Sequence, residues 1–334
     1  MTPTSISSPL IAALAGPAAD TRTRVAELGG ALASGRVPDA GHALSHDFSS
    51  LGAAERILAL SDAFRSSVGH GRRTAMRAEA ALADVSGQIE RLRDALVPAI
   101  TGDDAPDRSE LAAQARDTLA GFLRALNTTS DGRSVFGGGR SDLPPIPDGE
   151  AVLADLDAIA ASASDAADLA SAVSDYFSAT GAFRSTRLAA DLPTDFSFAT
   201  APSMSSSFGL RADDPAIVDT LERLARIAVF SVSPVGSGSA GDPVLDGAAH
   251  GHLAAAADVL IDLRAQVGRF GADIDRAEER LIDMRADALS ERSDLLGIDP
   301  YETATRLEEE AARLETIYAL TARLGRLRLT DYLR

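Results

Sequence analysis

Residues 260–288, "LIDLRAQVGRFGADIDRAEERLIDMRADA", show the clearest periodic pattern in this sequence. Its apolar side chains recur at alternating spacings of three and four residues, which places them on one stripe of a single long helix. The stripe consists of Leu260, Leu263, Val267, Phe270, Ile274, Ala277, Leu281, Met284 and Ala288. We predict one continuous helix over about residues 248–292.

Two segments in the first half of the chain repeat this pattern. The first stripe consists of Ile57, Leu60, Phe64, Val68, Ala75, Ala78, Leu82, Val85, Ile89, Leu92 and Leu96. The second helix is predicted to start at Asp107, with Glu110 completing a capping box. Its stripe consists of Leu111, Ala115, Leu119, Phe122 and Leu126. Because such stripes can be buried only against one another, we predict an antiparallel bundle of segments far apart in sequence.

Each end of the chain carries a shorter segment with the same spacing. Val25, Leu28 and Leu32 form the first, which is predicted to end at the helix cap Gly35. The last helix is predicted to start at Asp299, with Pro300 in its first turn. Its stripe consists of Ala304, Leu307, Ala311, Leu314, Tyr318 and Thr321, after which Leu320, Leu324 and Leu327 shift the stripe.

The middle of the chain has a different character. Residues 148–177 predict one helix, residues 179–212 a small β-containing or irregular insert, and Asp214 the start of another helix. The inner face of that last helix consists of Ile217, Leu221, Leu224 and Ala228. The predicted fold class is mainly α: an elongated antiparallel helical bundle or coiled coil formed by the N- and C-terminal segments, with a small middle insert.

We divide the sequence into three predicted domains. Residues 1–45 with 295–334 form a terminal coiled-coil assembly domain, residues 46–178 with 213–294 a helical rod, and residues 179–212 a small outer insert. Both terminal segments are separated from the long helices by sequences rich in helix breakers, so the two ends mirror each other.

Composition excludes several classes of function. The formal charge is −17, so nucleic acid is not an expected partner. The sequence contains no cysteine, which excludes disulfides and thiolate chemistry. No uncharged apolar run approaches the roughly 18 residues of a membrane span, so no membrane partner is expected. No basic residue precedes Arg22, and we therefore expect no cleaved secretory signal.

The sequence offers no convincing catalytic or cofactor motif. Gly236, Gly238 and Gly241 satisfy G-x-G-x-x-G, but Pro234 interrupts the approach and no βαβ unit surrounds them, so we interpret them as a turn. His250 and His252 point to different sides of a helix and cannot share a metal ion in the manner of residues four apart. The remaining histidines, for which solvated or capping roles are expected, are His42, His46 and His70. We predict that the protein is not an enzyme and has no catalytic residue, cofactor or metal ion.

The apolar stripes of the chain ends are the unusual feature. Each large side chain left in water forgoes about 1.5–3 kcal/mol of burial free energy. The stripes either dock on the body of their own chain or pair with each other and with neighbouring subunits. Helices of about 14 residues are marginal in isolation, so pairing would order them. The predicted assembly interface consists of Val25, Leu28, Leu32, Leu307, Leu314, Tyr318, Leu320, Leu324, Leu327, Leu329, Tyr332 and Leu333.

Three stretches resemble the flagellin family of flagellar axial proteins. The ending "YETATRLEEEAARLETIYALTARLGRLRLTDYL" is similar to the family's C-terminal heptad helix, and "RVAELGGALASGRVPD" is similar to its N-terminal "L…L…LASGKR" pattern. "LNTTSDGRSVFGGG" resembles a motif that follows the first helix pair in hook-associated members. The resemblance implies a structural role outside the cell, in the bacterial flagellum, with terminal coils that fold on assembly.

The resemblance also implies partners and a route. Members are exported unfolded through the flagellar type III apparatus, so the expected partners are hook-associated proteins, flagellin and further copies of this chain, with an export chaperone as a further candidate. Filament flagellin is the competing member, but "GRSVFGG" and the ending "DYLR" favour a hook-associated protein. The alternative of another class is a soluble helical adaptor or secreted effector whose coils bind another protein.

Overall fold

The computed structural model describes residues 7–45, 47–101, 108–189, 194–230 and 247–332. It is 76% helical with two small antiparallel sheets, which confirms the predicted mainly α fold with a small β-containing part. The helices are α1 (Ser7–Ser34), α2 (Ala40–Ala43), α3 (Ser49–Thr101), α4 (Arg108–Leu126), α5 (Gly149–Ser162), α6 (Ala166–Phe177), α7 (Pro215–Phe230), α8 (Gly247–Leu296) and α9 (Pro300–Tyr332). The strands are β1 (Thr129–Ser130), β2 (Arg133–Ser134), β3 (Phe196–Ala201) and β4 (Met204–Phe208).

The chain divides into two compact units. The smaller, here called the terminal unit, comprises Met1–Leu60 with Asp283–Arg334, and the larger, here called the central unit, comprises Ser61–Ile282. The terminal unit therefore combines both ends of the chain, whereas the central unit is one continuous segment. The three predicted domains differ from this division in number and bounds, and they stay a prediction.

In the central unit, α3 and α8 run antiparallel and in close contact. A Cβ atom added to Gly71 would lie 2.6 Å from Cδ1 of Ile274, and Glu79 pairs with Arg264 further along, with 2.6 Å between Oε1 and Nη2. The predicted stripes face this contact: Leu82, Val85, Leu260, Leu263 and Ile274 are completely buried. Met284 is an exception to the predicted stripe, since 38% of it is exposed. It lies on the part of α8 that belongs to the terminal unit.

The core of the central unit extends beyond three helices. Helix α4 packs along α7, and α5 and α6 pack against each other and against α7. All four residues predicted for the inner face of α7 are buried. That helix starts as predicted, because Oδ1 of Asp214 accepts a hydrogen bond of 2.9 Å from the backbone N–H of Ala216. The predicted start of α4 at Asp107 lies outside the described residues.

The single helix predicted over residues 148–177 is wrong, because the structure has two helices there. Helix α5 begins after the N-cap Asp148 and ends before Ala163, whose backbone is extended. Asp165 then caps α6 by accepting from the N–H of Asp168, and the carboxylate of Asp168 accepts from the N–H of Ser164. Ser and Asp side chains that bond nearby backbone groups favour helix ends over helix interiors, which explains the break.

The predicted insert contains a π-helical turn, Phe183–Arg187, followed by a hairpin of β3 and β4. Phe196 pairs with Phe208 at the open end of the hairpin, and the strands alternate inward and outward residues. The rings of Phe198 and Phe208 lie 5.5 and 5.1 Å from the ring of Phe270 on α8. The hairpin thus contributes aromatic side chains to the core of the central unit.

The "LNTTSDGRSVFGGG" stretch forms a pinned loop after α4. The side chain of Asn127 binds the backbone of Ile146 twice, donating to its carbonyl at 2.7 Å and accepting from its N–H at 3.0 Å. Asp131 and Gly132 both have positive φ and connect β1 to β2, as a two-residue hairpin turn requires. Phe136 is completely buried, and its carbonyl accepts a hydrogen bond from the N–H of Ala212.

A charged cluster ties α5 and α6 to the π-helical turn. Arg187 donates two hydrogen bonds of 2.7 Å to Asp155, and the hydroxyl of Tyr176 donates a third, of 2.9 Å. The hydrogen bonds from Arg187, helped by that from Tyr176, lower the pKa of Asp155, against the opposing effect of burial. Burial, and then the bond to Asp155, raise the pKa of Tyr176. At neutral pH Asp155 is therefore ionised while Tyr176 keeps its proton, and the cluster stabilises the fold in that form.

We expect Asp155→Asn to lower the free energy of unfolding by about 2 kcal/mol at pH 7, because bonds to a charged acceptor are lost. The pKa of Asp155 is lower in the folded state, so its contribution is present above the unfolded value of about 4 and is lost as pH falls through the folded value. The difference between the variant and the parent should therefore shrink in acid. Urea unfolding at several pH values measures it, with exposed Asp142→Asn as control; a pH-independent difference would contradict this account.

Candidate assembly interface

The break that follows α1 and the break that precedes α9 lie side by side. Gly35 has a φ of +69° and ends α1, with its N–H donating to the carbonyl of Ala31. The next residue, Arg36, forms an antiparallel bridge with Gly297, and the N–H of Val37 donates to the carbonyl of Leu296 at 2.9 Å. The end of α1 is thereby fixed beside the start of α9, so the two helices run antiparallel.

The start of α9 follows the predicted chemistry. Oδ1 of Asp299 accepts hydrogen bonds from the N–H groups of Tyr301 and Glu302, at 2.8 and 3.1 Å. Pro300 occupies the first position of the helix, where its lack of an N–H has no cost. The N-cap prediction at Asp299 is confirmed, as is the cap at Gly35, although α1 begins at Ser7, well before the predicted segment.

Helices α1 and α9 pack along each other in the terminal unit. The residues of α9 with reduced exposure recur at spacings of three and four, the pattern of a two-helix contact. We call this set, together with its counterpart on α1, the terminal seam. It consists of Thr21, Val25, Leu28 and Ala31 on α1 and of Thr303, Ala304, Leu307, Glu310, Ala311, Leu314, Ile317 and Thr321 on α9. Thr21, Ala31 and Thr303 are buried, whereas the others are only partly buried.

The structure places the predicted interface residues in three groups. Val25, Leu28, Leu307 and Leu314 lie in the terminal seam. The second group is exposed and consists of Leu32, Tyr318 and Leu320, with exposed fractions of 38%, 50% and 46%. For the third group the structure describes at most the helical backbone of α9: Leu324, Leu327, Leu329 and Tyr332. Leu333 lies outside the described residues.

Sequence reasoning missed several members of the seam. Thr21 and Ala31 on α1 were not predicted. Thr303, Glu310 and Ile317 were missed because the prediction followed the more apolar of two overlapping heptad stripes on α9. A second stripe, which runs through Thr303, Glu310 and Ile317, has the same spacing and shares Leu307 and Leu314. Ala304, Ala311 and Thr321 of the predicted stripe also have reduced exposure, so parts of both stripes form the contact face.

Glu310 is a carboxylate within this seam. Its Oε1 lies 3.5 Å from Nη1 of Arg24 and 3.8 Å from Nη1 of Arg313. Its Oε2 is buried and has no hydrogen-bond partner among the residues that the structure describes. A half-satisfied buried carboxylate costs stability, and polar groups at such positions are best attested as determinants of register and partner choice. The α1–α9 pair is therefore not optimised for its own stability.

We expect Glu310→Leu to stabilise the α1–α9 pair by about 1 kcal/mol, because the buried oxygen is removed while the exposed Arg24 stays solvated. Limited proteolysis of the purified chain should then cut α1 and α9 about fivefold more slowly than in the parent. Glu309→Leu, at an exposed position of the same helix, is the matched control and should have little effect. Faster cleavage of Glu310→Leu than of the parent would show that the carboxylate stabilises the pair.

The structure adds little chemistry to this site. Among the described residues, no group of three or more His, Cys, Asp or Glu side chains could hold a metal ion. Gly236, Gly238, Gly241 and His46 lie outside them, and the side chain of His42 is not described. Within the same residues, no helix has both the length and the apolar character needed to cross a membrane.

The fold and the terminal seam define a class of protein: a mainly α-helical chain whose two ends return to each other as an antiparallel pair. The chain is similar in fold to the solved structure of a putative flagellar hook-associated protein from Vibrio parahaemolyticus. The TM-score is 0.53 at 13% sequence identity, over 75% of this chain and 99% of that one. No protein-family model and no curated protein sequence matches the chain.

Proposed function

We propose that this protein is a structural component of the bacterial flagellum and that it joins the hook to the filament. The observation that carries the proposal is the incompletely covered terminal seam, on a fold similar to that of a putative flagellar hook-associated protein. Leu307 and Leu314 are only partly covered by α1, and Tyr318 and Leu320 beside them are exposed. Further copies, or related chains, supply the missing cover.

The physical reason is that a pair of helices can bury only one face of each member. Burying a large apolar side chain contributes about 1.5–3 kcal/mol, so a partner that covers the exposed group gains substantially. We therefore propose that α1 and α9 gain their final order on assembly, in contact with hook-associated proteins, flagellin and copies of this chain. Export through the type III apparatus, with or without a chaperone, delivers the chain to the flagellum.

Two short stretches favour the junction role over that of filament flagellin. They are "GRSVFGG" and the ending "DYLR", which resemble hook-associated members of the family. In this structure the first of these forms the pinned loop around Phe136, which contributes to the core of the central unit. Because Phe136 packs in the core, the motif has a structural role, which agrees with the prediction that the protein is not an enzyme.

Fractionation tests the proposal directly. We expect the protein in sheared flagella at an abundance far below that of the main filament subunit. Detection only in the cytosol would contradict the flagellar role and favour the adaptor alternative. An abundance equal to that of the main subunit would instead identify a filament flagellin.

A further inference from the structure

The central unit contains a pocket that the proposed structural role does not use. It has a volume of about 390 Å³ and lies between α3, the β1–β2 turn and β3. Seven of its lining residues carry hydroxyl groups, among them Ser66, Ser67, Ser130 and Ser197. The volume falls in the range of small-molecule sites, which is roughly 300–1,000 Å³. Its hydroxyl-rich wall distinguishes it from a packing defect in an apolar core.

The pocket wall carries one arginine, Arg133, and one aspartate, Asp131, so its formal charge is balanced, although the chain carries a formal charge of −17. Asp131, in the turn, is matched by Arg73, whose Nε donates to its Oδ2 at 2.8 Å. Arg133 also lines the pocket and has no carboxylate partner among the described residues. Its guanidinium lies 5.2 Å from the centre of the Phe196 ring, which holds it at the pocket. An arginine presented in this way is suited to bind a carboxylate.

The remaining groups suit a ligand that carries hydroxyls. His70 lines the pocket, and its Nδ1 lies 2.7 Å from Oδ2 of Asp131. Nδ1 also lies 3.0 Å from Nη2 of Arg73. Because an ionised carboxylate only accepts, we assign the hydrogen atom to Nδ1 on the shorter contact with Asp131, which leaves Nε2 of the neutral ring as an acceptor. The serine hydroxyls can both donate and accept, and Phe196 and Phe198 add apolar ring surface.

We propose that this pocket binds an acidic sugar, with Arg133 on the carboxylate, the serine hydroxyls and His70 on the sugar hydroxyls, and the phenylalanine rings beside the apolar face of the sugar. A neutral sugar lacks the group that Arg133 recognises. A simple inorganic anion lacks the hydroxyls that the serines and His70 recognise. The site is separate from the terminal seam, so this inference does not depend on the flagellar role.

Titration of the full-length protein with D-glucuronate, followed by ligand-observed NMR or calorimetry, tests the proposal. We expect saturable binding with a dissociation constant on the order of millimolar or tighter. D-glucose and inorganic phosphate should each bind about tenfold more weakly. Arg133→Gln should weaken glucuronate binding about tenfold, and Ser67→Ala should weaken it less. Arg140→Gln, in the neighbouring exposed loop, is the matched control and should leave binding unchanged.

Three results would overturn the proposal. The first is the lack of saturable glucuronate binding at concentrations on the order of tens of millimolar. The second is phosphate or glucose binding as tightly as glucuronate, because the site would then recognise only charge or only hydroxyls. The third is unchanged binding in both Arg133→Gln and Ser67→Ala. Thermal unfolding of each variant confirms that a lost signal reflects the site, and if Arg133→Gln unfolds, Ser67→Ala decides the outcome.

Discussion

Replacing Leu314 by Asp is expected to abolish incorporation of this protein into flagella while the central unit stays folded. Leu314 lies in the terminal seam, where α1 already covers part of it. A carboxylate at this position would have to give up hydration without a partner, at a cost of several kcal/mol. The terminal pair would open, and the surface offered to neighbouring subunits would be lost. Swimming motility and the amount of protein in sheared flagella measure the effect.

The matched control introduces the same side chain at an exposed position of α9. Ala312→Asp should leave the helix pair of the purified chain intact, as limited proteolysis will show, and should reduce incorporation less. We expect Leu324→Asp and Leu327→Asp to reduce incorporation as Leu314→Asp does, since the heptad pattern places Leu324 and Leu327 on the same helix, α9. Normal motility with Leu314→Asp, or equal losses with Leu314→Asp and Ala312→Asp, would contradict a specific role for the seam.

Replacing Phe136 by Ala is expected to destabilise the central unit by about 3–5 kcal/mol, because a fully buried ring leaves a cavity. The ring of Phe136 lies 6.4 Å from that of Phe208, and both belong to one core with α8. Urea unfolding followed by circular dichroism measures the loss. Its size follows from burial alone, so this prediction tests the fold independently of function.

The control is Phe48→Ala, in which a phenylalanine with 48% exposure is removed from the terminal unit. Its expected cost is about 1 kcal/mol or less, in line with partial exposure. A loss below about 1 kcal/mol for Phe136→Ala would mean that the "SVFGGG" loop does not anchor the core as described. The assignment of this loop to a structural role would then have to be abandoned.

The long helices could be predicted because the residue pattern that specifies each helix lies within that helix's own segment of sequence. A heptad pattern repeated from Leu260 to Leu281 leaves one continuous stripe as the only periodic solution, and the side chains at both of these positions are buried. Helix starts at Asp214 and Asp299 could be predicted for the same reason, since a cap side chain bonds a backbone group two or three residues away. The break at residues 163–165 carried a comparable local signal in Ser164 and Asp165, which our prediction overlooked.

The sites could not be predicted to the same extent, because their members meet only through the fold. His70 and Asp131 are 61 positions apart, and nothing in the spacing of either indicates the other. Glu310 lies beside the apolar stripe of α9, and the spacing of the apolar residues does not show that its carboxylate is partly buried. Sequence periodicity identifies which helices have an apolar face, whereas the width of the face that is covered depends on the neighbouring helix.

Electron microscopy of a strain that lacks this protein tests the central claim most directly. If the chain joins the hook to the filament, its loss should leave bare hooks on the cells and filament subunits in the medium, and expression of the parent chain should restore filaments. Complementation with Leu314→Asp should fail to restore them. Full-length, firmly attached filaments in the deletion strain would contradict the proposed function.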